Sequence, residues 1–202
     1  MSLIEKIERK IKTLEIDKVL PFSAVKIDSI STDTTRKILH RLHDNGLITI
    51  ISRGYFKREE SFNELLFVYG SLKKGFDNHS LLGKYAKRLG KAQTVRKFGM
   101  FEDSFGNYPY LINSPYNKIK GELYQITRKD LLQKIDEFEG APDYYQREKI
   151  EVKSHHGINR AFVYIQSDTK APTDQDSLKE WSNNSNYKVQ KLHSHLDKMI
   201  GN

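Results

Sequence analysis

Apolar residues recur along this chain at two different spacings, and the change from one to the other falls near residue 61. Ile4, Ile7, Ile11 and Leu14 stand three or four apart, which predicts an amphipathic helix over residues 3–14. Pro21-Phe22 opens a short helical turn through Val25 and Ile27. A further helix is predicted from about Thr32 to Asp44. Ser31 or Thr32 is its cap, Ile38, Leu39 and Leu42 are its buried stripe, and Asn45-Gly46 is its stop. The β-branched run Leu47 to Ile51, the tight Ser52-Arg53-Gly54 turn and Tyr55-Phe56-Lys57 then predict a two-stranded hairpin.

After the polar stretch Glu59 to Glu64, the spacing shortens. LLFVYGSL (Leu65 to Leu72) begins as a strand-like apolar run and stops at Gly70-Ser71. Asn78 is a candidate cap for a helix over 79–89 carrying Leu81, Leu82, Tyr85 and Leu89. Strand character returns at Gln93–Met100, Tyr110–Ile112, Gly121–Ile126, Lys149–Lys153 and Ala161–Ile165, punctuated by turn residues. One helix interrupts this series, capped by Thr127 and buried through Leu131, Leu132, Ile135 and Phe138. Many short strands with turns predict a small barrel-like mixed sheet rather than a doubly wound fold. Tyr187, Val189, Leu192, Leu196 and Ile200 predict a last amphipathic helix, able to cover the sheet, lie between domains or make a homodimer. The whole is an α+β chain: residues 1–60, 61–167 and a helical extension over 168–202.

Composition changes this picture little. With 202 residues the chain suits two compact domains. It has no cysteine, which removes disulfides, thiolate metal sites and cysteine nucleophiles. The N-terminal MSLIEKIERK lacks the apolar core of an export signal, and no run nears eighteen apolar residues, so a cytoplasmic protein is expected, without membrane contact. A net charge of +8 is compatible with nucleic acid, but the excess is spread out and decides nothing alone.

Two stretches carry candidate chemistry. A strand ending in Gly70-Ser71 before a helix points successive N–H groups into one concavity, a nest for a carboxylate or a developing oxyanion, although a plain turn has the same appearance. The glycine spacing excludes a P-loop. Glu139 follows Ile135 by four residues and Leu132 by seven, so it falls on the buried face of its helix, at the last turn before Gly140. Desolvation and the negative end of the helix dipole both raise a carboxylate's pKa there, as a general base or acid near neutral pH requires. A helix-end carboxylate that curls into water is the plain alternative. The histidines, including His40, His43, His155 and His156, do not pair with acids at ligand spacing, so no metal is expected. No GxSxG elbow surrounds a serine.

FVYGSLKKGFDNHSLL, YPYLI, GELYQI and IDEFEGAPDYYQRE, in that order, closely resemble the γ-glutamylcyclotransferase-like superfamily, in its γ-glutamylamine cyclotransferase and AIG2-like branch. The resemblance covers about residues 65–167. It implies an enzyme, without cofactor or metal, in which the substrate's α-amine attacks its own γ-carbonyl and releases 5-oxoproline and a free amine. By motif match, Tyr69, Gly70, Ser71 and Leu72 form the loop that holds the glutamyl group through backbone N–H groups. Glu139 stands in the place of the catalytic carboxylate, and Tyr145 matches a tyrosine near the site. Arg147 and His79 are read as structural, and Tyr108-Pro109-Tyr110 either lines the pocket or starts a strand.

RKILHRLHDNGLITIISRGYF resembles the core of a winged helix–turn–helix domain. That resemblance implies a recognition helix over 32–44, with Thr34, Thr35, Lys37 and Arg41 off its buried stripe and Arg53 on the wing, facing double-stranded DNA. The same fold also serves as a dimerisation or partner-binding module. Two functions follow: a cyclotransferase, or a DNA-binding regulator or antitoxin-like protein whose second domain senses a γ-glutamyl ligand or contacts a partner without turnover.

Overall fold

The computed structural model describes residues 1–28, 30–103, 107–166, 169–173 and 175–182. The expected last helix lies outside them. The chain forms two compact units, one built from Met1–Asn63 with Lys84–Ala86 and Ile126–Leu132, the other from the remaining described residues.

In the first unit, helix α1 spans Leu3–Lys12. Ser2 and Glu5 close a capping box at its start: the Glu5 N–H donates to Ser2 Oγ, and the Ser2 N–H donates to Glu5 Oε2 at 2.8 Å. Strand β1 is Val19–Pro21, a 3₁₀ turn follows at Phe22–Val25, and helix α2 spans Thr32–Asp44. Ser31 caps α2, its Oγ accepting from the Thr34 N–H at 3.1 Å. Gly46, at φ +75°, takes the left-handed turn past the helix end. Strands β2 (Ile48–Ser52) and β3 (Tyr55–Arg58) complete an antiparallel sheet in the order β1-β3-β2. The expected two-stranded hairpin is therefore three-stranded. Its third member was hidden because three residues ending in proline carry no alternation to read. Ile7, Ile11, Val25, Ile38, Leu39, Leu42, Ile48 and Phe56 form the core.

The second unit contains all or most of β4 (Glu64–Val68), β5 (Ala86–Thr94), β6 (Phe98–Glu102), β7 (Pro109–Asn117), β8 (Lys120–Ile126), helix α3 (Lys129–Glu139, from Gln133 onward), β9 (Gln146–Ser154) and β10 (Gly157–Ile165). Five strands close into a ring in the order β10-β4-β8-β5-β9, and β6 and β7 pair separately. The ring is mixed, since β4 runs parallel to β10 while β9 is antiparallel to both β10 and β5. Phe67, Phe98, Met100, Leu111, Ile119, Leu123, Val152, Val163, Ile165 and Trp181 fill it. Gly121 lets β8 approach β4: a Cβ there would stand 2.3 Å from the Val68 carbonyl oxygen and 2.7 Å from the Phe67 ring.

The helix expected over 79–89 does not form. His79–Tyr85 is two 3₁₀ pieces kinked at Gly83 (φ +52°, ψ −153°), and Ala86 onward belongs to β5. The apolar spacing there fits a helix, but Gly83 breaks it and the ring takes the following residues as a strand. The strand expected over 93–100 is likewise two, because β5 ends at Thr94 and β6 starts at Phe98.

Residues 177–181 run past β6, β7 and β8. Leu178 N–H donates to Met100 O at 2.7 Å, Lys120 N–H to Lys179 O at 2.8 Å, and Asn117 Nδ2 to Ser177 O at 2.8 Å. Among the described residues, no helix is long and apolar enough to cross a membrane.

Candidate active site

The Tyr69–Leu72 turn leaves the end of β4 and is fixed through its carbonyls. Lys73 N–H donates to Gly70 O at 3.1 Å and Asn78 N–H to Ser71 O at 3.2 Å. His79 Nδ1 lies 3.0 Å from Leu72 O, a contact in which the ring nitrogen carries the proton. Three constrained carbonyls leave the intervening peptide planes little freedom. Because 3₁₀ turns follow instead of an α-helix, no helix dipole backs this loop, which corrects the helix-end nest expected there.

The loop is braced from behind by a group the sequence did not single out. The Glu122 carboxylate accepts from Lys74 N–H (2.9 Å), Arg88 Nη2 (2.6 Å) and Tyr124 OH (2.8 Å). Burial alone would raise the Glu122 pKa, but these donors outweigh it and hold the carboxyl below its ordinary value. Lys73 is buried beside it, its ammonium donating to Trp181 O and lying 4.7 Å from the Phe76 ring; burial lowers its pKa.

Glu139 is the last residue of α3, as its spacing predicts, with Gly140 at φ +65° turning the chain away. Loss of solvent at this position pushes its carboxyl up to about 7. One helical turn earlier, Asp136 anchors the helix to the ring: it forms an ion pair with Arg147 and accepts from Tyr164 OH at 2.8 Å. Arg147 also lies over the Phe162 ring, at 4.7 Å. It therefore braces the helix, as does His79 the loop.

These pieces enclose one cavity of about 300 Å³, lined by the Phe67–Leu72 stretch, Asn78, Tyr108, Pro109, Phe138, Glu139, Tyr144, Tyr145 and Tyr164. Every residue marked for this site (Tyr69, Gly70, Ser71, Leu72, Glu139 and Tyr145) is in its wall. The Tyr69 hydroxyl donates into the core, to Tyr164 O at 2.9 Å. Burial, with the neighbouring Glu139 charge as a further cause, raises the pKa of Tyr69 and Tyr145; burial and Asp136 raise that of Tyr164. These hydroxyls stay protonated at neutral pH. Glu139 is thus the one carboxylate among the described lining residues, and it titrates near neutrality.

Phe138 departs from expectation. Instead of closing the buried stripe of α3 it is 46 % exposed, at the mouth of the cavity. Tyr108 and Tyr144 stand with it, their hydroxyl oxygens 3.2 Å apart. Sequence reasoning missed Tyr144, whose only signal was its adjacency to Tyr145.

In the first unit, a wider groove of about 580 Å³ runs between α2 and the β2–β3 turn, lined by Phe22, Arg36, Lys37, His40, Arg41, Ile50, Ser52, Arg53 and Gly54. It gathers Lys37, Arg41 and Arg53 as expected, and adds Arg36 and His40. Thr35 is a correction: it is buried, its hydroxyl donating to Ser31 O at 3.2 Å, so it has no free face for a ligand. Thr34 lies outside the groove wall, its hydroxyl oxygen accepting from Ser31 at 2.9 Å. Asp33 already pairs with Lys37 (2.9 Å) and Arg36 (3.3 Å). Among the described residues, no cluster of His, Asp and Glu is arranged to hold a metal ion.

Comparison with known proteins bears on the second unit. The family model "Gamma-glutamyl cyclotransferase, AIG2-like" matches residues 66–183, more than half of the chain. Gamma-glutamylaminecyclotransferase C of Danio rerio is 37% identical over 111 residues, 49% of this chain and 72% of the relative. Gamma-glutamylaminecyclotransferase of Bos taurus is 36% identical over 108 residues, 49% of this chain and 63% of the relative. Among solved structures, an AIG2-like protein from Mus musculus superposes with a TM-score of 0.56 at 26% identity, covering 62% of this chain and 92% of its own.

Proposed function

Because the chain belongs to the gamma-glutamyl cyclotransferase, AIG2-like family, we propose that it cyclises the γ-glutamyl group of a γ-glutamyl amine or peptide to 5-oxoproline. The observation that carries this reading is Glu139, its carboxyl up at about 7, in the wall of the same cavity as the Gly70–Leu72 turn. The substrate's α-amine nitrogen forms a bond to its own γ-carbonyl carbon, and the bond from that carbon to the leaving nitrogen breaks. Glu139 takes the proton released by the attacking amine and returns it to the leaving one, so the carboxylate is regenerated each turn. The N–H groups of Gly70, Ser71 and Leu72 bind the glutamyl moiety, and Tyr145 flanks the acid. Because the attack is intramolecular, orientation and one proton shuttle suffice, with no protein nucleophile and no metal.

The test is 5-oxoproline release from a panel of γ-glutamyl amines by wild type beside Glu139→Gln. Release by wild type alone supports the reading. Silence across the panel from folded protein favours the alternative, a domain that binds its ligand without turnover.

A second reading concerns the first unit, and the five basic side chains of its groove favour it. Here residues 1–60 act as a winged helix that binds double-stranded DNA, with Lys37 and Arg41 on α2 and Arg53 on the β2–β3 turn meeting phosphates and base edges. On this division residues 61–167 are the catalytic domain and 168 onward is an extension. Mobility shift on genomic fragments tests it: binding that weakens steeply with salt, and is lost in Lys37→Ala/Arg41→Ala, supports DNA contact. Wild type without salt-sensitive binding overturns it.

A further inference from the structure

The mouth of the cavity is built of aromatic rings that neither the fold nor the proton shuttle requires. Phe138, Tyr108 and Tyr144 come from three separate stretches of chain, the end of α3, the approach to β7 and the turn before β9. They are 46 %, 37 % and 57 % exposed. Large rings left this open around one opening form an exposed aromatic patch, and such patches mark binding surfaces. The two tyrosines are also held in place. The two tyrosine hydroxyls lie 3.2 Å apart, and Tyr144 meets the buried Tyr145 edge-on, ring centres 5.2 Å apart. Side chains pre-ordered in this way lose little freedom when a ligand covers them.

The charges around this opening are equally informative. Among the described lining residues there is no Lys, Arg or His, and the one carboxylate is Glu139. Among those described lining residues a leaving group that carries its own carboxylate would find no cation to pair with, and it would bring a like charge toward Glu139. A flat apolar body attached to the leaving nitrogen would instead cover rings that are otherwise wet.

We propose that Phe138, Tyr108 and Tyr144 form the leaving-amine subsite, and that it selects γ-glutamyl amides of arylalkyl amines over γ-glutamyl amino acids. This rests on the cyclotransferase reading and deepens it. The glutamyl half reaches the Gly70–Leu72 turn, and the scissile bond lies beside Glu139. The ring of the leaving amine then stacks at the mouth, where the free amine departs directly into solvent.

The experiment compares kcat/KM for γ-glutamyl benzylamide, γ-glutamyl methylamide and γ-glutamylglycine, in wild type, Phe138→Ser and Tyr144→Ser. Both substituted side chains are exposed, and thermal unfolding checks that each variant remains folded. The expected result is a preference for benzylamide over γ-glutamylglycine of at least about tenfold in wild type. Each variant should lower the benzylamide value by about tenfold, with methylamide within about twofold of wild type. Turnover of γ-glutamylglycine equal to or above benzylamide overturns the subsite and leaves the cyclotransferase reading standing. A variant that lowers all three substrates equally also overturns it, because the ring would then serve the reaction and not the choice of amine. No 5-oxoproline from any of the three by folded wild type defeats the cyclotransferase reading, and the subsite with it.

Discussion

The pocket beside Glu139 and the groove beside Arg41 are made from opposite materials. The pocket is small, walled by tyrosines and backbone, and among its described lining residues holds a single acid, which burial has moved to the middle of the pH scale. The groove is nearly twice as large, open, and edged with basic side chains that solvent reaches freely. A proton-transfer site needs a dry environment because desolvation is what tunes an acid. A surface that grips a polyanion needs many exposed cations, each contributing little, whose joint effect salt can erase. Burial of charge therefore separates the tuned acid of the pocket from the solvated cations of the groove, and the two regions answer to different perturbations.

The largest effect should come from Glu139→Gln, which keeps the shape and removes the base: 5-oxoproline release should drop by about 10²- to 10⁴-fold. Residual activity within tenfold of wild type would take Glu139 out of the shuttle. In wild type, kcat/KM should rise with pH through a limb near 7, as Glu139 ionises, and this limb should vanish in the variant. The second effect is structural. Gly121→Ala drives a methyl into the Val68 carbonyl, and the ring should lose on the order of 3 kcal/mol in denaturant unfolding.

Smaller and opposite in sign is the stability of Glu139→Gln itself. The folded chain holds the Glu139 proton more tightly than the unfolded chain, whose ordinary value is 4.5. Stability is therefore lost as pH rises from about 4.5 through about 7, and Gln, always neutral, avoids that loss. At pH 8 the inactive variant should be more stable by on the order of 1–2 kcal/mol, discounted for the water that reaches the carboxylate, and at pH 4 the two should coincide. A variant less stable at pH 8 would mean Glu139 is not desolvated. Smallest is Ser31→Ala, which removes the cap of α2 and should cost the first unit about 1 kcal/mol in thermal or denaturant unfolding. A change within error there would mean that the cap is redundant.

How far the chain could be read without its structure differed between these regions for physical reasons. Glu139 was legible because the α3 stripe and Gly140 are local signals that agree with each other and with the fold. Leu81, Leu82, Tyr85 and Leu89 gave an equally good local stripe, yet the ring uses that stretch for a turn and a strand, so tertiary pairing overrode spacing. Phe138 misled in the same way: it keeps helical phase with Ile135, but it stands one residue before the end of α3 and is left exposed in the cavity wall. Tyr144 and the Glu122 brace were not legible at all. Their roles depend largely on Tyr108, Lys74 and Arg88, which stand 36, 48 and 34 residues away, and no single-chain periodicity reports those meetings. Thr35 shows the limit of reading faces: its place off the apolar stripe predicts an outward side chain, whereas the short hydroxyl turns back to bond the backbone of Ser31.

The ring of β10, β4, β8, β5 and β9 has one more consequence. A closed ring has no terminal strand, so it exposes no row of unpaired N–H and C=O groups on which another chain could be templated. The three-stranded sheet of the first unit has two such borders. One, β1, is three residues long and ends in Pro21, which has no N–H to offer. The other is β2, Ile-Thr-Ile-Ile-Ser, with Ile51 49 % exposed. Within that unit, aggregation by strand addition would begin on β2, and a lysine at Ile51 is the substitution that would guard it.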